Sequence, residues 1–129
     1  MFTFRNILAV AVFLFGTTFL WMTPLFIGPT AKGALWTMAQ VLGFLAIIGF
    51  TVAAWGIFKA ADWWETVAVV SGAVGIAATI PYAIAAPATA GVGDTLTLVI
   101  NIGLHLLGSA AVIVALLVPP TEHWIGGQL

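Results

Sequence analysis

The chain has 129 residues, 63% of them hydrophobic and 5% charged, where a soluble domain carries roughly 25% charged residues. Three basic and four acidic residues give a formal net charge of -1. Too few charges remain to cover a water-soluble surface, and that excludes an ordinary cytosolic enzyme, a basic nucleic-acid binder and a disordered chain. The absence of cysteine excludes disulfides, thiolate metal sites and cysteine nucleophiles. The predicted surroundings are a lipid bilayer.

A helix needs about 20 apolar residues to cross the hydrocarbon core. Four stretches meet that length, at 7–27, 34–58, 66–86 and 95–118. Residues 1–6 ahead of the first stretch resemble the start of a secretory signal. The apolar run continues too far, however, and Trp21, Met22 and Pro24 stand where a cleavage site would be sought, so a retained span is expected. Sheet edges are untenable in lipid, so the predicted fold is an all-α integral membrane protein. It is a single antiparallel four-helix transmembrane bundle running up-down-up-down.

The punctuation between spans is specific. Gly28-Pro29-Thr30 ends the first span, since proline cannot continue helical hydrogen bonding. Asp62-Trp63-Trp64-Glu65 reads as a capping box opening the third, with Asp62 accepting from free amides and Glu65 reaching back. Asp94 is placed to cap the fourth, and Pro119-Pro120 stops it. Arg5 and Lys59 fall on one side and Lys32 on the other, which favours cytoplasmic N- and C-termini in a plasma (inner) membrane. Trp55, Trp63, Trp64 and Trp124 on one side, and Trp21, Trp36 and Tyr82 on the other, read as interfacial belts.

No charge lies inside any span, which removes the usual carriers of voltage sensing and ion coupling. The polar residues that remain are patterned. Thr97, Asn101, His105 and Ser109 recur every four residues and form one stripe on the fourth helix. His105 lies about 15 Å along that helix, near mid-bilayer. The stripe serves either a ligand or helix-to-helix hydrogen bonding, and such bonds are worth about 0.6 kcal/mol each. On the third helix Ser71, Gly75, Thr79 and Ala83 form a small-residue ridge, with Gly49 and Ala53 a weaker instance on the second; these are expected to pack helices closely. Gln40, Asn101, Thr79 and Tyr82 fall in the same leaflet, which predicts a shallow polar pocket opening toward the loops after the first and third spans.

Catalytic parts are absent: there is no GxSxG, HExxH or phosphate loop. No cofactor is predicted. A haem on His105 would draw its second histidine from another copy of the chain or rest on one axial ligand, since His123 lies beyond Pro119-Pro120. No metal site is predicted. The first functional expectation is a non-enzymatic accessory subunit of a membrane complex, with the bilayer and other membrane chains as partners. The second is a homo-oligomeric transporter or channel built from copies of this chain around the stripe. The third is a binder of lipid, quinone or pigment. The direction in which the stripe faces separates them.

Overall fold

The computed structural model describes residues 3–129, and among these there is no strand; 83% of the structure is helical. In chain order come α1 (Phe4–Thr17), a 3-10 turn (Thr18–Met22), α2 (Pro24–Ile27), α3 (Ala34–Phe58), α4 (Trp64–Ala85), a short 3-10 turn (Ala86–Ala88), α5 (Thr95–Leu117) and α6 (Pro119–Gln128). Four stretches, Phe4–Met22, Ala34–Phe58, Trp64–Ala88 and Thr95–Leu117, are long and apolar enough to cross a membrane.

The first stretch is not the continuous helix expected over 7–27. Thr17, Thr18 and Thr23 each donate a hydroxyl hydrogen bond three residues back, to the carbonyls of Leu14 (2.7 Å), Phe15 (2.6 Å) and Leu20 (2.7 Å). Thr17 and Thr18 thus bond at the point where α1 tightens into 3-10 geometry. Thr23 is extended, as a residue before proline prefers, and Pro24 takes the first turn of α2, where its missing N–H costs nothing. The chain end follows the same logic. Val118 is extended and Pro119 opens α6, so Pro119-Pro120 ends one helix and starts another that the sequence pattern did not reveal.

The turn between α3 and α4 corrects the predicted capping box. Ala60 has φ of 56°, and its N–H and that of Ala61 donate to the carbonyls of Ile57 (3.1 Å) and Gly56 (2.9 Å). This is a Schellman exit with alanine in the left-handed position. Backbone bonds carry the chain straight on into α4, with Trp63 as the helical N-cap residue and no side-chain cap. Asp62 and Glu65 therefore do not form a capping box: the turn is too tight for the extended N-cap conformation that a carboxylate cap requires. Asp94 does cap α5, accepting from Thr97 N at 3.0 Å.

Packing is built on small residues. α1 lies on α3, where a Cβ at Gly16 would meet Phe50, and α3 lies on α4, where Gly49 faces Ser71. α4 lies on α5, with Gly75 and Gly72 against Ser109 and Ile113. Ser71 and Gly75 thus serve two interfaces, and Ala53 is fully buried between Ala9, Ile57 and Ala68 in a second core cluster. α1 and α5 meet chiefly through side chains: the Phe15 ring lies over Gly108. The outer surface is apolar, with Leu107 74% and Leu25 69% exposed. Of the expected belt residues, Trp21, Trp55, Trp63 and Trp124 are exposed, but Trp36, Trp64 and Tyr82 are core. Trp36 turns inward because its indole N–H finds the Thr89 hydroxyl at 3.0 Å.

Phe15 cannot swing aside from Gly108, because it is held edge-on by Phe19 (5.5 Å) and Phe50 (5.2 Å). Gly108→Ala should destabilise the protein by about 1–3 kcal/mol through overpacking. Gly103→Ala, on the same helix but with open space around it, should be neutral or stabilising by up to about 1 kcal/mol through helix propensity. Thermal unfolding of the two variants in detergent checks both.

Candidate functional site

The residues of α5 that are buried are Asn101, His105 and Ser109. The polar stripe therefore faces the interior of its own chain, flanked by Leu98, Ile102 and Val112, which also pack on the core, while Leu96, Val99, Leu107 and Val114 face outward. His105 is fully buried. Its Nδ1 donates to the Asn101 carbonyl at 2.6 Å, and a carbonyl can only accept, so this nitrogen carries a proton. In the neutral ring Nε2 lies 3.0 Å from the Thr18 oxygen, and the one hydroxyl proton is shared between this nitrogen and the Phe15 carbonyl at 2.6 Å. Phe19 packs edge-on against the ring at 4.6 Å, with Phe15 beyond it. Both nitrogens are engaged within the chain and aromatic rings fill the adjacent space. An iron at this position would have to displace Thr18.

One turn toward the N-terminus of α5, Asn101 donates through Nδ2 to Tyr82 Oη at 2.8 Å. Tyr82 is fully buried and stands edge-on to Trp36 at 5.7 Å. Thr79 is also buried, but its hydroxyl returns to the Gly75 carbonyl at 2.9 Å, within its own helix. Ser109 Oγ is buried with no hydrogen-bond partner among the described residues, at a point where Gly75 leaves room for it and for the Phe19 ring. Gln40 does not join the group. It sits half-buried on the flank of α3 beside buried Ala39, with no hydrogen bond to the stripe. Sequence depth placed it at the right level, but helical rotation carries it away.

A cleft of about 420 Å³ opens at the end of the molecule where α2 and the loop before α5 meet. Its lining comes from Trp21, Phe26 and Ile27 on one wall, Gly91 and Val92 on another, and Thr97, Ile100 and Asn101 along α5. The expected pocket on this side is therefore partly met. Thr97 and Asn101 reach it, while His105, Thr79 and Tyr82 lie behind it in the core. The hydrophobic lining was not legible beforehand, because it depends on the break at Thr23-Pro24 that folds Phe26 and Ile27 across the end of the bundle. Thr18 was identifiable only as one of several threonines in the same leaflet.

Asp94 is exposed and bonded to Thr97, which lines this cleft. Its Oδ2 accepts from Thr97 N and from Thr97 Oγ1 at 2.9 Å, and these two bonds hold its carboxyl below the usual carboxylate value, the backbone bond foremost. At the other end, Arg5 donates to the carbonyls of Ile57 and Leu129, both at 3.0 Å, and Glu122 and His123 pair with each other at 3.4 Å. Among the described residues no three histidine or carboxylate side chains converge there.

Two measurements follow from this geometry. Thr18→Val should cost about 0.6 kcal/mol, a typical hydrogen bond inside a membrane bundle. The same change in a His105→Leu background should cost less, since only the bond to the Phe15 carbonyl is then lost; an undiminished cost in the double variant would show that the His105 contact is not made. Because the folded pKa of Asp94 is depressed, its stabilising contribution is present above the unfolded carboxylate value and is lost as pH falls through the lower folded value. The stability gap between the wild type and Asp94→Ala should accordingly close in acid, and unfolding curves over a pH series read it.

No protein-family model matches the chain, and no curated protein or solved structure is similar to it.

Proposed function

We propose that this chain is a four-span membrane protein that binds a membrane-soluble amphiphile in the cleft beside Asn101, without catalysing a reaction. The observation that carries the reading is a 420 Å³ cleft whose walls are apolar and aromatic but whose floor is a nearly buried amide. Such a mixture is what a lipid-like molecule with one polar end requires. The inward direction of the stripe supports a site inside one chain over a pore shared between chains.

Several contacts support an antiparallel, up-down-up-down course through the bilayer. Arg5 at the start of α1 meets Ile57 at the end of α3. Trp36 near the start of α3 meets Thr89 just beyond α4. Tyr82 near the end of α4 meets Asn101 near the start of α5. On this course both termini share a side with Arg5 and Lys59, and the positive-inside tendency makes that side cytoplasmic in a plasma (inner) membrane. The cleft then faces the opposite leaflet. A second reading, an accessory subunit, draws on α5, which leaves large apolar residues and open space at Gly103 outside.

Native mass spectrometry of the protein extracted gently from its membranes tests both. The expected result is a retained small-molecule mass that disappears in Ile100→Trp, a variant that fills the cleft from a half-exposed position. Equal lipid adducts in both proteins would defeat the ligand reading. An unlike chain at fixed stoichiometry would favour the subunit.

A further inference from the structure

The side-chain oxygens at the cleft share one character, while the Trp21 indole N–H is a donor in the same lining. The Thr97 hydroxyl spends its single proton on Asp94 at 2.9 Å, so only its lone pairs remain for a ligand. Asn101 is 8% exposed and lines the cleft; its Nδ2 is held by Tyr82, and its Oδ1 has no hydrogen-bond partner among the described residues. Asp94 adds a carboxylate, and no cation pairs with it among the described residues. The side-chain oxygens of the site are thus acceptors, with the negative charge of Asp94 beside Thr97.

Resting on the reading of the cleft as an amphiphile site, we infer that its ligand is a neutral amphiphile headed by a hydroxyl, and that carboxylate-headed amphiphiles are turned away. A hydroxyl donates to Asn101 Oδ1 and leaves no charge near Asp94. A carboxylate brings only acceptors to the Asn101 and Thr97 oxygens and a second negative charge to that of Asp94, and the single Trp21 N–H does not offset both. The aromatic wall of Trp21 and Phe26 takes the chain or ring system behind the head. Turning the Asn101 amide over would present an N–H at the floor, but a hydroxyl also accepts. Thr97 and Asp94 would still oppose an anion.

The test uses hexadecanol and hexadecanoate as probes of equal chain length, at a pH alkaline enough to keep the acid ionised. Binding to the full-length protein in neutral nanodiscs is measured by equilibrium dialysis, and the amount held by Ile100→Trp is subtracted as bulk partition. The expected result is a cleft-specific affinity for hexadecanol about tenfold above that for hexadecanoate, which corresponds to about 1.4 kcal/mol. Asp94→Asn keeps a competent helix cap and should narrow the gap several-fold. Hexadecanoate bound as tightly as hexadecanol, with both lost in Ile100→Trp, would overturn the ligand class and leave the cleft standing as a site. A gap that Asp94→Asn leaves unchanged would overturn the role of the Asp94 charge. If neither probe responds to Ile100→Trp, the cleft reading itself falls, and the inference with it.

Discussion

Polar atoms in a chain with an apolar exterior must find their partners inside it. That constraint orders α5. Its exposed large side chains are leucine, isoleucine and valine, while Asn101, His105 and Ser109 are turned inward. Once inside, each must be bonded, since an unpaired buried group costs about 1–3 kcal/mol. His105 reaches the Asn101 carbonyl and Thr18, Asn101 reaches Tyr82, and Trp36 reaches Thr89. These few bonds select which faces of α1, α4 and α5 meet. Ser109 Oγ is the exception, without a partner among the described residues where Gly75 leaves room for it and for the Phe19 ring.

Dispersion and shape do the rest of the packing. Where helices adjoin closely, a glycine is present to allow it: Gly16 under Phe50, Gly49 against Ser71, Gly75 against Ser109. Where α1 and α5 stand further apart, the Phe15, Phe19 and Phe50 rings fill the gap, and Phe15 and Phe19 pack against His105. The histidine is therefore both a hydrogen-bonding link and a member of an aromatic cluster. That dual role accounts for its burial.

The cleft follows from the broken first span. Had residues 7–27 formed one straight helix, Phe26 and Ile27 would extend past the bundle rather than turn across its end. The 3-10 turn at Thr18–Met22 and the restart at Pro24 redirect them toward Val92 and α5. The same break sets Thr18 opposite His105. One local event, written in Thr17, Thr18, Thr23 and Pro24, thus supplies both the partner of the buried histidine and one wall of the cleft.

The sequence by itself determined the helical class, the four long apolar segments, the cap at Asp94 and the four-residue period of the stripe, because these depend on composition and on contacts a few residues apart. It misassigned Asp62, since a Schellman exit and a capping box compete for the same short turn and backbone geometry decides between them. Residue depth could be counted along each helix, but rotation about the helix axis could not. Gln40 and Asn101 lie at similar depth, and only the packed structure separates the flank of α3 from the floor of the cleft. Which way the stripe faces, which aromatic residues are core, and where Phe26 and Ile27 come to rest were decided by tertiary structure alone. Each depends on how one helix is rotated against another, and many weak contacts distributed along the chain set that rotation together.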